Sequence, residues 1–113
     1  MRLCPGCRSE LRRQTVRDTH IDGCSACGGV WLDKGELQGL ANRQMDLWVA
    51  ARTFKPTAAP RAPAHERVCP SCNVRLEAFE YASLAGIELD RCLGCGGIWV
   101  DDGELDQIDV RLA

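Results

Sequence analysis

Eight cysteines fall into four Cys-x-x-Cys pairs: Cys4/Cys7, Cys24/Cys27, Cys69/Cys72 and Cys92/Cys95. Thiols in that pattern can ligate a metal, exchange electrons or form bridges. Zn2+ takes four ligands near tetrahedral geometry, and thiolates suit it. One Cys-x-x-Cys turn sets two sulfurs on one side of the ion. A second turn, brought alongside by a hairpin, completes the shell. The 16 residues between the first two pairs (8–23) and the 19 between the last two (73–91) lie in the range of zinc sites. The expected ligand sets are Cys4, Cys7, Cys24 and Cys27, and Cys69, Cys72, Cys92 and Cys95, with two Zn2+ per chain. Iron fits the same four-thiolate tetrahedron and stays open as an alternative. Redox pairs usually sit at a helix start within a βαβ pattern, which is absent here. Disulfides would suit a secreted chain.

These pairs need strands to bring them together. Leu76-Glu77-Ala78-Phe79-Glu80-Tyr81 and Gly86-Ile87-Glu88-Leu89-Asp90 alternate like two arms of a hairpin. Gln14–Arg17 and Thr19–Asp22 are a weaker counterpart, and Val30-Trp31-Leu32 and Ile98-Trp99-Val100 predict short third strands. Glycines after Cys27 and Cys95 permit a tight turn with positive φ, and N–H groups there can donate to thiolates. Asp33 and Asp101 are suited to cap helices, with Glu36 and Glu104 at the capping-box position. Leu37, Leu40, Ala41, Met45, Trp48 and Ala51 recur at helical spacing. They predict a helix from about residue 34 to about residue 53, roughly 30 Å long. A short helix follows Asp102, to about Arg111.

The same module is therefore written twice. The fold expected is a small, metal-stabilised α+β protein of two tandem zinc ribbons. Residues 1–54 form the first ribbon with its long helix, and 67–113 the second with a short helix. Residues 55–66 form a Pro/Ala-rich linker. Such a linker lets the ribbons move independently, unless the long helix docks on the second one.

Cys-Pro-x-Cys followed by Cys-x-x-Cys-Gly-Gly-Val/Ile-Trp-Leu/Val-Asp-x-Gly-Glu-Leu resembles a family of prokaryotic transcription-factor-IIB-type zinc-finger domains. Both halves carry the signature, over about three-quarters of the chain. The resemblance implies a zinc ribbon and the ligand role for all eight cysteines. It implies no particular activity, because ribbons host many functions. Val100 stands where the pattern usually has Leu.

Composition limits the remaining choices. With 113 residues and 5% aromatics, each half is too small to be secure without a metal or a partner. No basic start leads into an apolar stretch, and no apolar run approaches the roughly 18 residues of a membrane span. A cytoplasmic protein is expected, with reduced thiols. Residues 1–68 hold 11 Lys+Arg against 7 Asp+Glu (+4), and residues 69–113 hold 3 against 9 (−6), within a formal net charge of −2. Four thiolates around Zn2+ add −2 per site, about −6 in all, which disfavours whole-molecule nucleic-acid binding.

Arg2, Arg8, Arg12, Arg13 and Arg17 nevertheless form a local basic set. Of these, Arg8, Arg12, Arg13 and Arg17 are the candidate contacts for nucleic acid or an acidic partner. Trp31 and Trp99 are expected to pack over the hairpin beside the metal, and Trp48 in the helix core. His20 has Glu88 as its counterpart, so the module does not need it as a ligand. His65 lies in the linker. Four thiolates leave no open coordination position, and no Ser/His/Asp set, phosphate loop or nucleotide fingerprint appears. A non-enzymatic protein–protein adaptor is the leading expectation. A nucleic-acid-binding or transcription-associated regulator is the alternative, and zinc handling or sensing is a further one. Leu47-Trp48-Val49 puts apolar residues on more than one helix face, which also suggests a homodimer through the helix around Leu37–Trp48.

Overall fold

A computed structural model describes residues 2–16, 19–33, 35–42, 44–54, 66–81 and 84–112. Arg17, His65 and all of the expected linker except Glu66 lie outside the described residues. The first copy supplies β1 (Arg12–Val16), β2 (Thr19–Gly23), β3 (Val30–Leu32), α1 (Glu36–Ala41) and α2 (Met45–Arg52). The second supplies β4 (Glu77–Glu80), β5 (Glu88–Arg91), β6 (Ile98–Val100) and α3 (Asp102–Leu112).

Both hairpins and both third strands form close to where the sequence places them, with β1 starting two residues earlier, at Arg12. They form one sheet rather than two. The strand order is β1-β2-β3-β6-β5-β4, so the ribbons join edge to edge through their third strands. The seam is antiparallel and centred on Trp31 opposite Trp99, with Val30 opposite Val100 and Leu32 opposite Ile98. Trp31 thus faces its own counterpart, and the two flanking pairs are exchanged by a local two-fold.

Alternation along these strands divides the interior into two layers. On one face, Ile21, Val30, Leu32, Leu89 and Val100 pack against Leu37, Leu40, Leu47 and Trp48 of α1 and α2 and Leu105 and Ile108 of α3. On the other, Trp31 and Trp99 pack with Leu11, Leu76 and the buried cysteines. Each large buried side chain contributes on the order of 1.5–3 kcal/mol relative to exposure. Parting the seam would therefore cost much more than extending a linker. Arg52 of α2 ties the helix layer together, donating to Asp106 (2.6 Å) and Asp109 (2.9 Å) of α3.

The single long helix expected after the first ribbon is two helices. Asn42 closes α1, its N–H donating to Gln38 O, and Gln44 N–H donates to Gly39 O. The reversal brings Trp48 Nε1–H to Leu40 O at 3.0 Å and buries the indole against α1. Leu37, Leu47 and Trp48 are consumed by this core, so the face offered for dimerisation shrinks to Met45 and Val49. The caps differ too. Gly35, at φ 95°, is the N-cap of α1, with no side-chain cap bond. Glu36 and Glu104 still accept from the N–H groups of Asp33 (2.6 Å) and Asp101 (3.0 Å), forming half of each capping box.

Candidate metal centres

The eight cysteines assemble into two clusters, Cys4/Cys7/Cys24/Cys27 and Cys69/Cys72/Cys92/Cys95, with the sulfurs of each within 4.8 Å of one another. Zn–S bonds of about 2.3 Å imply a tetrahedron edge of about 3.8 Å. The contacts Cys7–Cys24 (3.3 Å), Cys4–Cys27 (3.5 Å) and Cys69–Cys95 (3.8 Å) lie at or just inside that edge. A divalent ion fits each set with small shifts of the sulfurs.

Each cluster is held by two turns of one design. The N–H groups of Gly6 and Cys7 donate to Cys4 Sγ at 3.3 and 3.4 Å. Those of Ser71 and Cys72 donate to Cys69 Sγ at 3.3 and 3.2 Å. Cys27 N–H donates to Cys24 Sγ at 3.4 Å. The residue after the second cysteine is left-handed in all four turns: Gly28 at φ 80° and Gly96 at 78°, but also Arg8 at 67° and Asn73 at 60°. Sequence reasoning found the two glycines. Arg8 carries no residue-type signal for this conformation, and only its place in the repeat could have revealed it.

The thiol protonation pattern has the same origin. Hydrogen bonding from Cys4 draws Cys27 down to about 6, while the same contact and burial push Cys4 up. Burial raises Cys24 to about 11. In the second cluster, hydrogen bonds with Cys95 and Cys92 push Cys72 to about 12. Burial opposes ionisation of Cys92, but the Cys95 and Gly94 N–H groups bring it down to about 7. Burial raises Cys69. Protons divided unequally among touching sulfurs are what a dication displaces when it binds.

The tryptophans do sit beside the metal clusters, but each reaches the other copy. Trp99 lies over Gly29 of the first cluster, and Trp31 over Gly97 of the second. A side chain at either glycine would run into the ring, so the second glycine of each Cys-Gly-Gly makes room for the partner module. Trp99 Nε1–H donates to Asp101 Oδ1 at 2.8 Å, whereas the buried Trp31 Nε1–H has no hydrogen-bond partner among the described residues.

An ion-pair set beneath each cluster was missed in the sequence. Arg67 donates to Asp90 at 2.8 Å and to Asp101 at 2.7 Å. Arg2, its counterpart two residues before the first cysteine, pairs with Asp22 and lies 3.4 Å from Asp33. The carboxylates expected to cap helices thus face arginines. A matched arginine at Cys−2 in both copies was the available signal. Arg13 also pairs with Asp22, at 3.2 Å, so two of the five amino-terminal arginines serve internal structure. Arg8 and Arg12 are exposed. Arg8 borders a cleft of about 240 Å³ between the Cys-Pro turns, lined by Leu3, Cys4, Pro5 and their counterparts Val68, Cys69, Pro70 and Asn73. His20 bonds Thr15 across the β1–β2 hairpin at 2.9 Å and joins neither cluster.

Comparison with curated proteins and with solved structures finds no match. The family model described as "Transcription factor zinc-finger", the TFIIB-type zinc ribbon, matches residues 3–43 and again 68–109. Those two stretches cover well over half of the chain, and each contains one complete four-cysteine cluster. The protein is thus a member of the TFIIB-type zinc-ribbon family, carrying two tandem copies that each form a four-cysteine zinc site.

Proposed function

We propose that this chain is a non-enzymatic protein–protein adaptor whose zinc ions build the scaffold. Four thiolates fill each shell, which leaves no coordination position for a substrate or an activated water. The observation that carries the adaptor reading is an apolar strip on the helix layer. Met45 is 67% exposed, Val49 49% and Val110 76%. Met45, Val49 and Trp48 line one open groove of about 390 Å³. Ile87 and Val110 line a second of similar volume, with Asp106 and Arg111 at its rim. The Arg52 ion pairs lie between them, so both modules contribute to one surface. Apolar side chains rimmed by charge suit an amphipathic helix from a partner. No helix among the described residues is long and apolar enough to cross a membrane. Reduced thiols favour a cytosolic setting.

Nucleic-acid binding is the second reading, favoured by the exposure of Arg8, beside the cleft between the Cys-Pro turns, and of Arg12 on β1. One comparison separates the two. Partner capture by the zinc-loaded chain is measured at low and high salt for the parent, for Val49→Glu with Val110→Glu, and for Arg8→Ala with Arg12→Ala. The adaptor reading expects a salt-tolerant protein partner that is lost with the helix-face pair and kept with the arginine pair. Nucleic-acid capture that falls steeply with salt and is lost with the arginine pair would replace it. Native mass would show whether the partner is a second copy.

A further inference from the structure

The two zinc sites are built alike and covered unequally. At the first, Cys4, Cys24 and Cys27 are buried, and so are Gly6, Gly28 and Gly29 in the turns. Trp99 packs on this site as Trp31 packs on Gly97 of the second, so the difference lies in the turns and not in the rings. Trp99 Cζ2 touches the Gly29 turn and comes within 3.8 Å of a β-carbon position on Gly6. At the second, Cys69 and Cys92 are buried, but Cys72 and Cys95 are exposed, together with Ser71, Asn73, Leu93 and Gly94. The tip is also apolar. Leu93 is 70% exposed and Val74 48%, where the first copy has Ser25 and Ser9. Two exposed cysteines, each from a different turn and with sulfurs within 4.8 Å of each other, give an incoming ligand a direct approach.

We propose that the sites divide their labour. Cys4/Cys7/Cys24/Cys27 is a permanent structural site. Cys69/Cys72/Cys92/Cys95 is an exchangeable one, which yields its zinc to thiol-bearing acceptors through Cys72 and Cys95. The reaction is ligand substitution without redox change. The entering thiol gives up its proton as its sulfur binds zinc, and the displaced cysteine sulfur takes a proton up. The exposed Leu93 and Val74 offer apolar contact to the acceptor. Discharge need not unfold the chain, because β5 and β6 stay in the sheet and Leu89, Val100, Leu105 and Ile108 stay in the helix-face core. The inference does not depend on which partner the helix face takes.

The test uses the intact chain carrying two zinc ions. It is challenged with glutathione and the chromogenic chelator 4-(2-pyridylazo)resorcinol, with N-ethylmaleimide trapping freed thiols. Native mass spectra follow the two-, one- and zero-zinc species, and peptide mapping locates the label. The expected course is accumulation of a one-zinc species labelled at Cys72 and Cys95, with the first ion leaving at least about tenfold faster than the second. Equal rates, direct passage from two ions to none, retention of both ions, or first labelling among Cys4, Cys7, Cys24 and Cys27 would overturn the proposal.

Discussion

Replacing Gly97 with Ala adds one methyl group at the seam, and the structure fixes what that methyl meets. Its β-carbon would lie closest to Trp31 Cζ2, 2.7 Å from Cε2 and 3.0 Å from Cη2. All three separations are well inside van der Waals contact, and the obstacle is a rigid ring at 0% exposure. Gly97 is not among the positive-φ glycines, so alanine adds no backbone strain there. Overpacking costs about 1–3 kcal/mol, and the entropic gain of Gly→Ala returns about 0.4–1 kcal/mol. The expected loss is about 1.3 kcal/mol, or about 5 °C in Tm for a domain of this size. Thermal unfolding of the zinc-loaded protein measures it. Gly103→Ala in α3 is the control, because nothing lies within 4 Å of its β-carbon position. That change should be neutral or raise Tm. Gly97 is also two residues from a ligand, so a double-mutant cycle is needed. If Trp31 is the obstacle, Trp31→Phe should relieve part of the penalty of Gly97→Ala. An unchanged Tm, or a penalty equal in both backgrounds, would refute a packed seam between the ribbons.

Other expectations rest on single contacts. Arg67→Ala should cost about 3–5 kcal/mol, because it leaves Asp90 (4% exposed) and Asp101 without this arginine. Arg2→Ala should cost less, since Arg13 still pairs with Asp22; denaturant titration ranks the two. Burial lifts the Glu104 carboxyl to about 7. The native state then holds a proton that the unfolded chain loses near pH 4.5, so this group's contribution to stability falls as pH rises from about 4.5 through 7. Glu104→Gln keeps an acceptor for Asp101 N–H and should gain about 2 kcal/mol on the parent between pH 5 and pH 8, after allowance for screening. A constant Tm difference over that range would count against it. Stripping both zinc ions should remove the near-UV circular dichroism of Trp31 and Trp99, which rest on the cysteine turns. A spectrum unchanged on stripping would show that the metal does not hold those rings.

Local pattern revealed what is local. Alternation located the two hairpins, and short apolar runs located the third strands, which are buried on both faces. Cysteine spacing located the ligands, because tetrahedral coordination by two turns constrains spacing tightly. The strand pairing across Trp31 and Trp99 was not legible in the same way. Val30-Trp31-Leu32 is apolar throughout, and such a run shows a buried strand without naming the strand beside it. The break at Asn42 was hidden because Leu40 and Leu47 keep helical spacing across it. Arg2 looked like surface charge because its partners, Asp22 and Asp33, are 20 and 31 residues away in the chain. Each miss concerns contacts between segments, which no window along one segment contains.

The seam also bears on why the module is duplicated. Its register sets each third strand against its own counterpart, with Trp31 opposite Trp99 and a branched or leucine side chain on either side. Such an edge is self-complementary. A ribbon standing alone would expose the hydrogen-bonding edge of that strand, the indole and the glycine turn that receives an indole. A second copy covers all three at once, and isologous pairing is the symmetric solution. Joining the copies in one chain makes that pairing intramolecular, so it no longer depends on protein concentration. The isolated second ribbon, residues 67–113 with zinc, should therefore dimerise through β6, placing Trp99 against Gly97 of its mate. Sedimentation would show a mass that rises with concentration, and Gly97→Ala would suppress the rise. A monomer at all accessible concentrations would mean that the α2–α3 contacts, and not the strand seam, hold the two halves together.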